Sequence, residues 1–283
     1  MVRLADLPRA AACQGAPRIT MTHQTIPHLP DEAPPKTKNP SEGLAIDTEA
    51  LPDGFDTLGL HEALLRSIIE SGYEAPTPIQ LRTIPSLLEG RDLIGQAQTG
   101  TGKTAAYALP LLQKLTPEKR VQALVLTPTR ELAIQVSEAI RLFGKHLGRV
   151  RVLPIYGGQA MSIQMSALHR GVQVVVGTPG RVLDLLARGV LNLTAVHTVV
   201  LDEADEMLHM GFIEDVEAIL AQTPDRSLVQ TALFSATMPP EIRRVAARYL
   251  EDPVTVEIVD ETRTIAAVEG LDHRRSGRSP RNI

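Results

Sequence analysis

The sequence is poor in several residue types that characterise whole classes of proteins. It has one cysteine (Cys13) and no tryptophan, and aromatic residues make up 3% of its 283 positions. A single cysteine excludes an internal disulfide and fits a reducing compartment, which favours a cytoplasmic protein. No apolar run approaches the ~18 residues of a membrane span. The eight histidines show no metal-ligand spacing, so we expect neither a membrane segment nor a zinc site.

Positive charge is also scarce. The 29 Lys and Arg residues are outnumbered by 33 Asp and Glu residues, which gives a net charge of −4. A chain of this charge does not attract polyanions through its overall field, so any surface for a nucleic acid must be a local patch. With 43% hydrophobic residues, the chain can bury the core of one or two domains.

The two ends of the chain differ from its middle. Residues 1–50 hold seven of the 21 prolines and show no sustained period, which predicts a disordered Pro-rich extension. Asp6 and Pro8 interrupt any apolar segment near the start, so this is no signal peptide, and Met21 is an alternative start. Residues 270–283 carry four arginines against one aspartate and predict a basic disordered tail.

Between the ends, short apolar runs alternate with segments of helical period. This pattern predicts an α/β fold with a mostly parallel sheet covered by helices on both faces. In such sheets, ligands bind beyond the carboxyl ends of the strands. We expect strands at residues 92–95, 123–126, 150–156, 172–176, 196–201, 228–234 and 254–258, and helices at residues 60–69, from 78, from 105, and at 131–143, 160–168, 181–187, 212–221 and 241–249.

A glycine-rich stretch, A-Q-T-G-T-G-K-T, follows the first predicted strand and precedes a predicted helix. Its glycines let backbone N–H groups approach phosphate oxygens, and the new helix adds the positive end of its dipole. The lysine would bind the β/γ-phosphates, and the last threonine a Mg²⁺ ion. A strict phosphate loop has glycine at the first position, so a chance turn is the alternative. The predicted nucleotide-binding residues are Ala97, Gln98, Thr99, Gly100, Thr101, Gly102, Lys103 and Thr104.

A second stretch places carboxylates at the end of a buried strand. Asp202 follows the apolar run 198–201, where a carboxylate would lie near the metal ion of a phosphate-binding site. Glu203 would accept a proton from the attacking water. Together with Lys103, these are the candidate catalytic residues. The alternative is a pair of solvated acidic residues at the start of a helix.

Residues 202–205 read Asp-Glu-Ala-Asp, and from about residue 55 to about residue 267 the chain resembles a DEAD-box RNA helicase. The phosphate loop of that family usually begins with Ala or Gly, which agrees with Ala97. The resemblance implies a RecA-like P-loop NTPase domain over residues 51–269 that uses ATP and Mg²⁺. Family members continue into a second RecA-like domain, which is not in this sequence. Truncation and a frameshift are both possible readings of residues 270–283.

Residues 72–80, G-Y-E-A-P-T-P-I-Q, resemble the Q motif of the family. The resemblance implies that the Gln80 amide binds the adenine edge, because an amide both donates and accepts hydrogen bonds. It also implies that Phe55 stacks on the base and that Tyr73 and Thr77 belong to the ATP site. The alternatives are a core aromatic for Phe55 and a helix-surface amide for Gln80.

Three further strand ends resemble the RNA contacts of the family. They offer glycines, helix-start N–H groups, hydroxyls and arginines, which are groups that hold phosphates. The resemblance implies a grip on the backbone of single-stranded RNA without reading of bases. The alternative is turn chemistry and ion pairing, for example between Arg130 and an acidic neighbour. The residues are Pro128, Thr129, Arg130, Gly157, Gly158, Gln159, Thr178, Pro179, Gly180 and Arg181.

Ser235, Ala236 and Thr237 end the sixth predicted strand. The hydroxyls of Ser235 and Thr237 would bond the carboxylates of residues 202–205. The resemblance implies that residues 235–237 and Asp205 couple the nucleotide site to the RNA side. The alternative is an ordinary helix cap.

The function implied by this resemblance is ATP hydrolysis coupled to RNA binding and unwinding, here by the N-terminal half of a helicase. One alternative is a DNA-directed helicase, which the Q motif disfavours. Another is a non-catalytic fragment that binds RNA or nucleotide. The expected partner is RNA rather than a membrane, and the sequence indicates no particular ribonucleoprotein partner.

Overall fold

The structure is a computed structural model and describes residues 54–258. The predicted extension at residues 1–50 and the predicted tail at residues 270–283 lie outside the described residues. The seven strands are β1 Leu93–Gln96, β2 Ala123–Leu126, β3 Val152–Ile155, β4 Val174–Gly177, β5 Thr198–Leu201, β6 Gln230–Ser235 and β7 Val254–Glu257. The helices are α1 Glu62–Glu70, α2 Pro78–Leu88, α3 Lys103–Gln113, α4 Arg130–Phe143, α5 Met161–His169, α6 Pro179–Ala187, α7 Ala204–His209, α8 Ile213–Leu220 and α9 Pro240–Tyr249.

All seven strands form one sheet in the order β3-β4-β2-β5-β6-β1-β7. Every neighbouring pair is parallel, which confirms the predicted α/β fold. Because the strands are parallel, all their carboxyl ends meet at one edge of the sheet. The loops after β2, β3 and β4 lie side by side in one half of that edge, and those after β1, β5 and β6 lie in the other half.

The sheet is buried on both faces. Strand β2 shows why, because Ala123 and Val125 pack into one apolar cluster while Leu124 and Leu126 pack into a second cluster on the opposite face. Helices α1–α4 cover the first face and α5–α9 the second. Strands buried on both sides read as continuous apolar runs, which is how their positions were predictable.

Local sequence signals set the ends of several helices. Gly72, at φ +75°, follows α1 in the left-handed conformation that favours glycine. Pro78 opens α2 with its φ already fixed for a helix. The Thr129 hydroxyl accepts a hydrogen bond from the Leu132 N–H at 3.2 Å and caps α4. Helix α7 was not predicted, because A-D-E-M-L-H has only six residues, half of them polar. Between residues 54 and 258, no helix is long and apolar enough to cross a membrane.

Candidate functional site

The phosphate loop connects β1 to α3. Gly100 and Gly102 adopt φ angles of +81° and +92°, which side chains rarely tolerate. At Gly102 a Cβ atom would also lie 2.5 Å from Nε2 of Gln80 and 2.9 Å from Oγ1 of Thr77. At Gly100 it would meet nothing within 4 Å. Glycine is therefore required at position 102 both by its backbone and by its neighbours.

Hydrogen bonds within the loop hold its groups together. The Lys103 ammonium is 6% exposed and donates to the Ala97 carbonyl at 3.1 Å. The Thr101 hydroxyl donates to the Gln98 carbonyl at 2.8 Å. Gln98, Thr99 and Gly100 are exposed at the tip of the loop. The ammonium thus stands at the inner side of a loop whose outer side is open to a ligand.

Gln80 connects the Q-motif segment to this loop. Its side chain is fully buried, so the helix-surface alternative is wrong. Its Oε1 accepts from the Thr77 N–H at 2.9 Å, and its Nε2 donates to the Gly102 carbonyl at 3.1 Å. One amide therefore fixes both the start of α2 and the last glycine of the phosphate loop. Its predicted contact with adenine stays a prediction.

Phe55 lies in the core, which was the alternative considered for it from the sequence. Its ring has no exposed surface and lies in the core cluster under α1–α4. It packs edge-on against Tyr73, with ring centroids 6.1 Å apart, and Tyr73 in turn contacts Phe143. Its predicted stacking on the base stays a prediction. Here Phe55 is a core aromatic, and Tyr73 is half-buried beside it.

Asp202 is buried at the end of β5, with 2% of its surface exposed. The Tyr107 hydroxyl of α3 donates to its Oδ2 at 2.7 Å, while its Oδ1 is buried and has no hydrogen-bond partner among residues 54–258. Burial raises the pKa of Asp202, and the Tyr107 hydrogen bond and the Lys103 charge oppose that rise. A buried carboxylate oxygen without a donor is rare in proteins and suits a cation or its bound water.

The residues present therefore fit a magnesium ion. Mg²⁺ is held by one or two protein oxygens together with waters and substrate phosphates. The free Oδ1 of Asp202 supplies one such oxygen. The half-buried Thr104, on the first turn of α3, supplies a hydroxyl from the phosphate-loop side.

Glu203 has an unusual backbone conformation. Its φ and ψ angles are 53° and 51°, in the left-handed region, immediately before α7. A non-glycine residue costs ~1–2 kcal/mol there. Burial raises the pKa of its carboxyl group, and the negative charge of Asp202 raises it further. Glu203 is thus held next to Asp202 at the expense of local strain, which is common at functional sites.

Asp205 lies at the centre of the contacts to the end of β6. Its Oδ2 accepts from both the N–H and the hydroxyl of Thr237, each at 2.9 Å. Its own N–H donates to the Ser235 hydroxyl at 3.1 Å. Burial opposes the shift, but hydrogen bonds from Ser235 and Thr237 lower the pKa of Asp205. The carboxylate bonded by a hydroxyl is Asp205; neither Ser235 nor Thr237 bonds the side chain of Asp202. The coupling role stays a prediction.

On the other half of the sheet edge, Arg130 reaches towards the loop after β3. Its guanidinium lies over the Tyr156 ring, 5.3 Å from the centroid, and a Cβ on Gly158 would lie 3.8 Å from its Nη1. Its nearest carboxylate is that of Glu131 at 3.9 Å, and both side chains are more than half exposed. An exposed pair of this kind contributes little, so ion pairing does not account for the position of Arg130.

Arg181 connects the loops after β3 and β4. Its Nη1 donates to the Gln159 carbonyl at 3.1 Å and to Oε1 of Gln164 at 3.3 Å. The buried Gln164 amide donates to the Tyr156 carbonyl and to Oε1 of Gln159. The three predicted segments therefore form one surface. Its accessible members include Gly157, Gly158, Gly180 and Arg130, with Thr129, Gln159, Thr178 and Arg181 half-buried.

Two predicted RNA residues are not on that surface. Pro128 and Pro179 are buried, and their predicted contact with RNA stays a prediction. Pro179 is the first residue of α6, where a fixed φ and a missing N–H favour the start of a helix. Both prolines shape the loops that carry their exposed neighbours.

Comparison with known proteins shows the family of this chain. Residues 77–245 match the family model for the DEAD/DEAH box helicase. The chain belongs to the DEAD/DEAH box helicase family. It is 56% identical over 211 residues to the ATP-dependent RNA helicase DeaD of Escherichia coli strain K12. It is also 57% identical over 203 residues to that of Mycobacterium tuberculosis.

Solved structures of the family share the fold. A DEAD box protein from Methanococcus jannaschii superposes with a TM-score of 0.69 at 41% identity, covering 77% of this chain and 62% of that one. A hypothetical ATP-dependent RNA helicase from Sulfolobus tokodaii gives 0.65 at 42% identity, covering 70% and 57%. The matches to the two DeaD helicases cover 74% and 71% of this chain but 33% and 36% of those proteins. This DEAD-box chain thus spans about a third of the length of its curated relatives.

Sequence reasoning missed two residues of the site. Tyr107 lies one helical turn beyond Lys103, so helical spacing alone could have placed it facing the phosphate loop and the β5 end. Gln164 gave no signal, because its three partners come from segments before and after α5.

Proposed function

We propose that this domain is the ATP-binding part of an ATP-dependent RNA helicase. The observation that carries the proposal is the Oδ1 atom of Asp202, a buried acceptor without a partner. It belongs to a carboxylate whose pKa is affected by the charge of Lys103.

ATP would bind over the loops that follow β1, β5 and β6. The Lys103 ammonium would exchange the Ala97 carbonyl for phosphate oxygens. The backbone N–H groups of residues 98–104 and the start of α3 would surround the phosphates. Gln80 and Tyr73 would lie on the adenine side.

The chemical roles follow from position. Mg²⁺, when bound by Asp202 and Thr104, neutralises charge on the phosphate oxygens. Glu203 would accept a proton from the attacking water, since its raised pKa makes it a stronger base than an exposed glutamate. Asp205 would transmit changes at this site to residues 235–237 through its bonds to Ser235 and Thr237.

Single-stranded RNA would lie across the loops that follow β2, β3 and β4. The groups offered there are exposed glycine N–H groups and the guanidinium groups of Arg130 and Arg181, which suit phosphates. We propose binding through the RNA backbone, without base preference.

The experiment compares Lys103→Ala with Glu203→Gln. We expect Lys103→Ala to weaken ATP binding, because it removes a ground-state phosphate contact. We expect Glu203→Gln to keep ATP binding and to depress hydrolysis in single turnovers, because its group acts on the attacking water. Normal hydrolysis by Glu203→Gln would rule out its role as the base.

A second measurement tests nucleotide and nucleic-acid preference. ATP should bind more tightly than GTP, and Gln80→Ala should reduce that preference. RNA should stimulate hydrolysis more than DNA of the same sequence. Equal binding of GTP would remove the proposed role of Gln80, and equal stimulation by DNA would favour the DNA-directed alternative.

A further inference from the structure

Four arginines form a group at the amino-terminal end of the edge strand β3. Arg149 and Arg151 precede the strand, Arg141 lies in the last turn of α4, and Arg170 is the C-cap of α5. Together they line a cleft of about 430 Å³. We call these four residues the β3 arginine patch. It stands at the opposite end of β3 from the Gly157–Gly158 loop.

The charges of the β3 arginine patch are not neutralised within the domain. Between residues 54 and 258, no carboxylate lies within 4 Å of any of the four guanidinium groups. By contrast, Arg188 pairs with Asp184, and both Arg244 and Arg248 pair with Glu217. The patch is therefore a local concentration of positive charge on a chain of net negative charge, and such a concentration attracts anions.

Backbone carbonyls hold two of these guanidinium groups in place. Arg141 Nη2 donates to the Val152 carbonyl at 2.7 Å, and Arg151 Nη1 donates to the Gly171 carbonyl at 3.1 Å. A guanidinium has five N–H donors, so most donors in each group stay available. The arrangement is partly preorganised, which reduces the entropy lost when a phosphate is bound.

A second cleft extends the patch around the end of the sheet. It measures about 440 Å³, shares Arg149, Val150 and Arg151 with the first cleft, and adds Lys119. The acidic neighbour of that lysine, Glu118, is already paired with Arg120. The positive surface is therefore continuous from α5 to the end of α3.

The position of this surface indicates its ligand. Strand β3 has four residues, so at about 3.3 Å per residue it spans roughly 13 Å. We propose that an RNA strand held by the loops after β2, β3 and β4 continues along edge strand β3 and places further phosphates on the β3 arginine patch. This inference rests on the RNA surface of the proposed function and adds a second, separate contact to it.

The location of the patch favours RNA over an acidic protein segment. Arginine forks match phosphate and carboxylate oxygens alike in bidentate pairs, so the choice rests on the proximity of the patch to the RNA loops. Successive phosphates of one flexible strand can occupy several arginines, and no closed pocket limits the length of the strand. An acidic peptide competing for the same arginines is an outcome of the test below.

The test compares a short and a long RNA. Binding of fluorescent single strands of about 5 and about 20 nucleotides is measured by anisotropy at 50–200 mM salt. The variant combines Arg149→Gln, Arg151→Gln and Arg170→Gln. The matched control combines Arg188→Gln, Arg244→Gln and Arg248→Gln, which removes the same charge elsewhere.

We expect the patch variant to bind the short RNA as the parent does and the long RNA with a shallower salt dependence. Each lost phosphate contact makes the negative slope of log K against log salt less steep by about 0.7. Three contacts make the parent lose about 20-fold more affinity than the variant between 50 and 200 mM salt. A variant with lysine at the three positions should retain the slope, since it keeps the charge.

Other outcomes overturn the inference. Equal losses of affinity for the long RNA in the patch and control variants would mean that only the net charge of the domain matters. Equal losses for short and long RNA would mean that the patch is not a separate contact. Tight binding of polyglutamate, but not of long RNA, would assign the patch to an acidic protein. By contrast, failure of the short RNA to bind, with Arg130→Gln silent, would count against the strand-end RNA surface.

Discussion

The two halves of the carboxyl edge of the sheet are built differently. In the nucleotide half, Lys103, Asp202 and Asp205 are 6%, 2% and 8% exposed, and each is hydrogen-bonded to another part of the site. In the half that we propose to bind RNA, called the RNA half below, the Arg130 side chain is 56% exposed, beside open glycines. A buried, low-dielectric site strengthens each charge interaction with a compact ligand, whereas an open surface can follow a flexible polymer.

This difference predicts how each half responds to substitution. In the nucleotide half, one change leaves buried partners unsatisfied, so stability and binding fall together. In the RNA half, a change at the exposed Arg130 removes one contact and leaves no buried partner unsatisfied, so only affinity for RNA should fall. The following four predictions test that contrast, from the largest expected effect to the smallest.

Gly102→Ala should have the largest effect. The new Cβ would lie 2.5 Å from Gln80 Nε2, at a φ of +92°. We expect nucleotide affinity to fall about 100-fold, equivalent to ~3 kcal/mol, with a lower melting temperature. Gly100→Ala is the matched control, since its φ is also positive but its Cβ meets nothing within 4 Å. If the two variants are equally impaired, backbone strain explains the effect and the contact with Gln80 does not.

Tyr107→Phe should destabilise the domain without changing its shape. It leaves Oδ2 of buried Asp202 without its donor, which costs ~1–3 kcal/mol. Urea unfolding measures the loss. Tyr249→Phe removes a hydroxyl that donates to the more exposed Glu217 carbonyl at 3.1 Å and should cost less, ~1 kcal/mol. Equal costs would show that the Asp202 contact is no stronger than a peripheral one.

Arg130→Gln should change RNA binding alone. We expect the negative slope of log K against log salt to become less steep by about 0.7. Between 50 and 200 mM salt, the parent should therefore lose about 3-fold more affinity for RNA than the variant. Stability should change by less than ~0.5 kcal/mol, since the residue is exposed. Arg130→Lys keeps the charge and should keep the slope. A marked drop in ATP affinity or melting temperature would contradict the separation of the two halves.

Glu70→Gln should have the smallest effect and serves as a reference outside both halves. Contacts with Lys145 and His146 lower the pKa of Glu70 from 4.5 to about 2. A lowered pKa stabilises the fold above pH 4.5, and that stabilisation is lost as the pH falls towards about 2. The melting temperatures of parent and variant should therefore differ slightly at neutral pH and converge in acid. If the difference in melting temperature grows in acid, the pKa of Glu70 is not lowered in the folded state.

The sequence predicted much of the fold because the buried strands are continuous apolar runs. It could not predict helix α7, which starts from the strained Glu203 and has only six residues, half of them polar. It also could not order the strands, since neighbours such as β1 and β6 are far apart in the chain.

The site was predictable where a motif is contiguous, as in the phosphate loop. It was not predictable where partners are distant in sequence. The Tyr107–Asp202 contact spans 95 residues, and the Gln80–Gly102 contact spans 22. Phe55 is a motif position whose ring packs in the core against Tyr73, and its predicted contact with the base stays a prediction.

The strand order has a consequence for how the chain is made. Strand β1, which carries the phosphate loop, pairs only with β6 and β7, roughly 140–160 residues later. At synthesis rates of about 5–20 residues per second, the ribosome needs on the order of 10–30 seconds to produce those partners. Until then, the backbone of β1 lacks the neighbouring strands β6 and β7 with which it forms hydrogen bonds. The loop that identifies the family in the sequence is thus among the last parts of the domain able to take its final form.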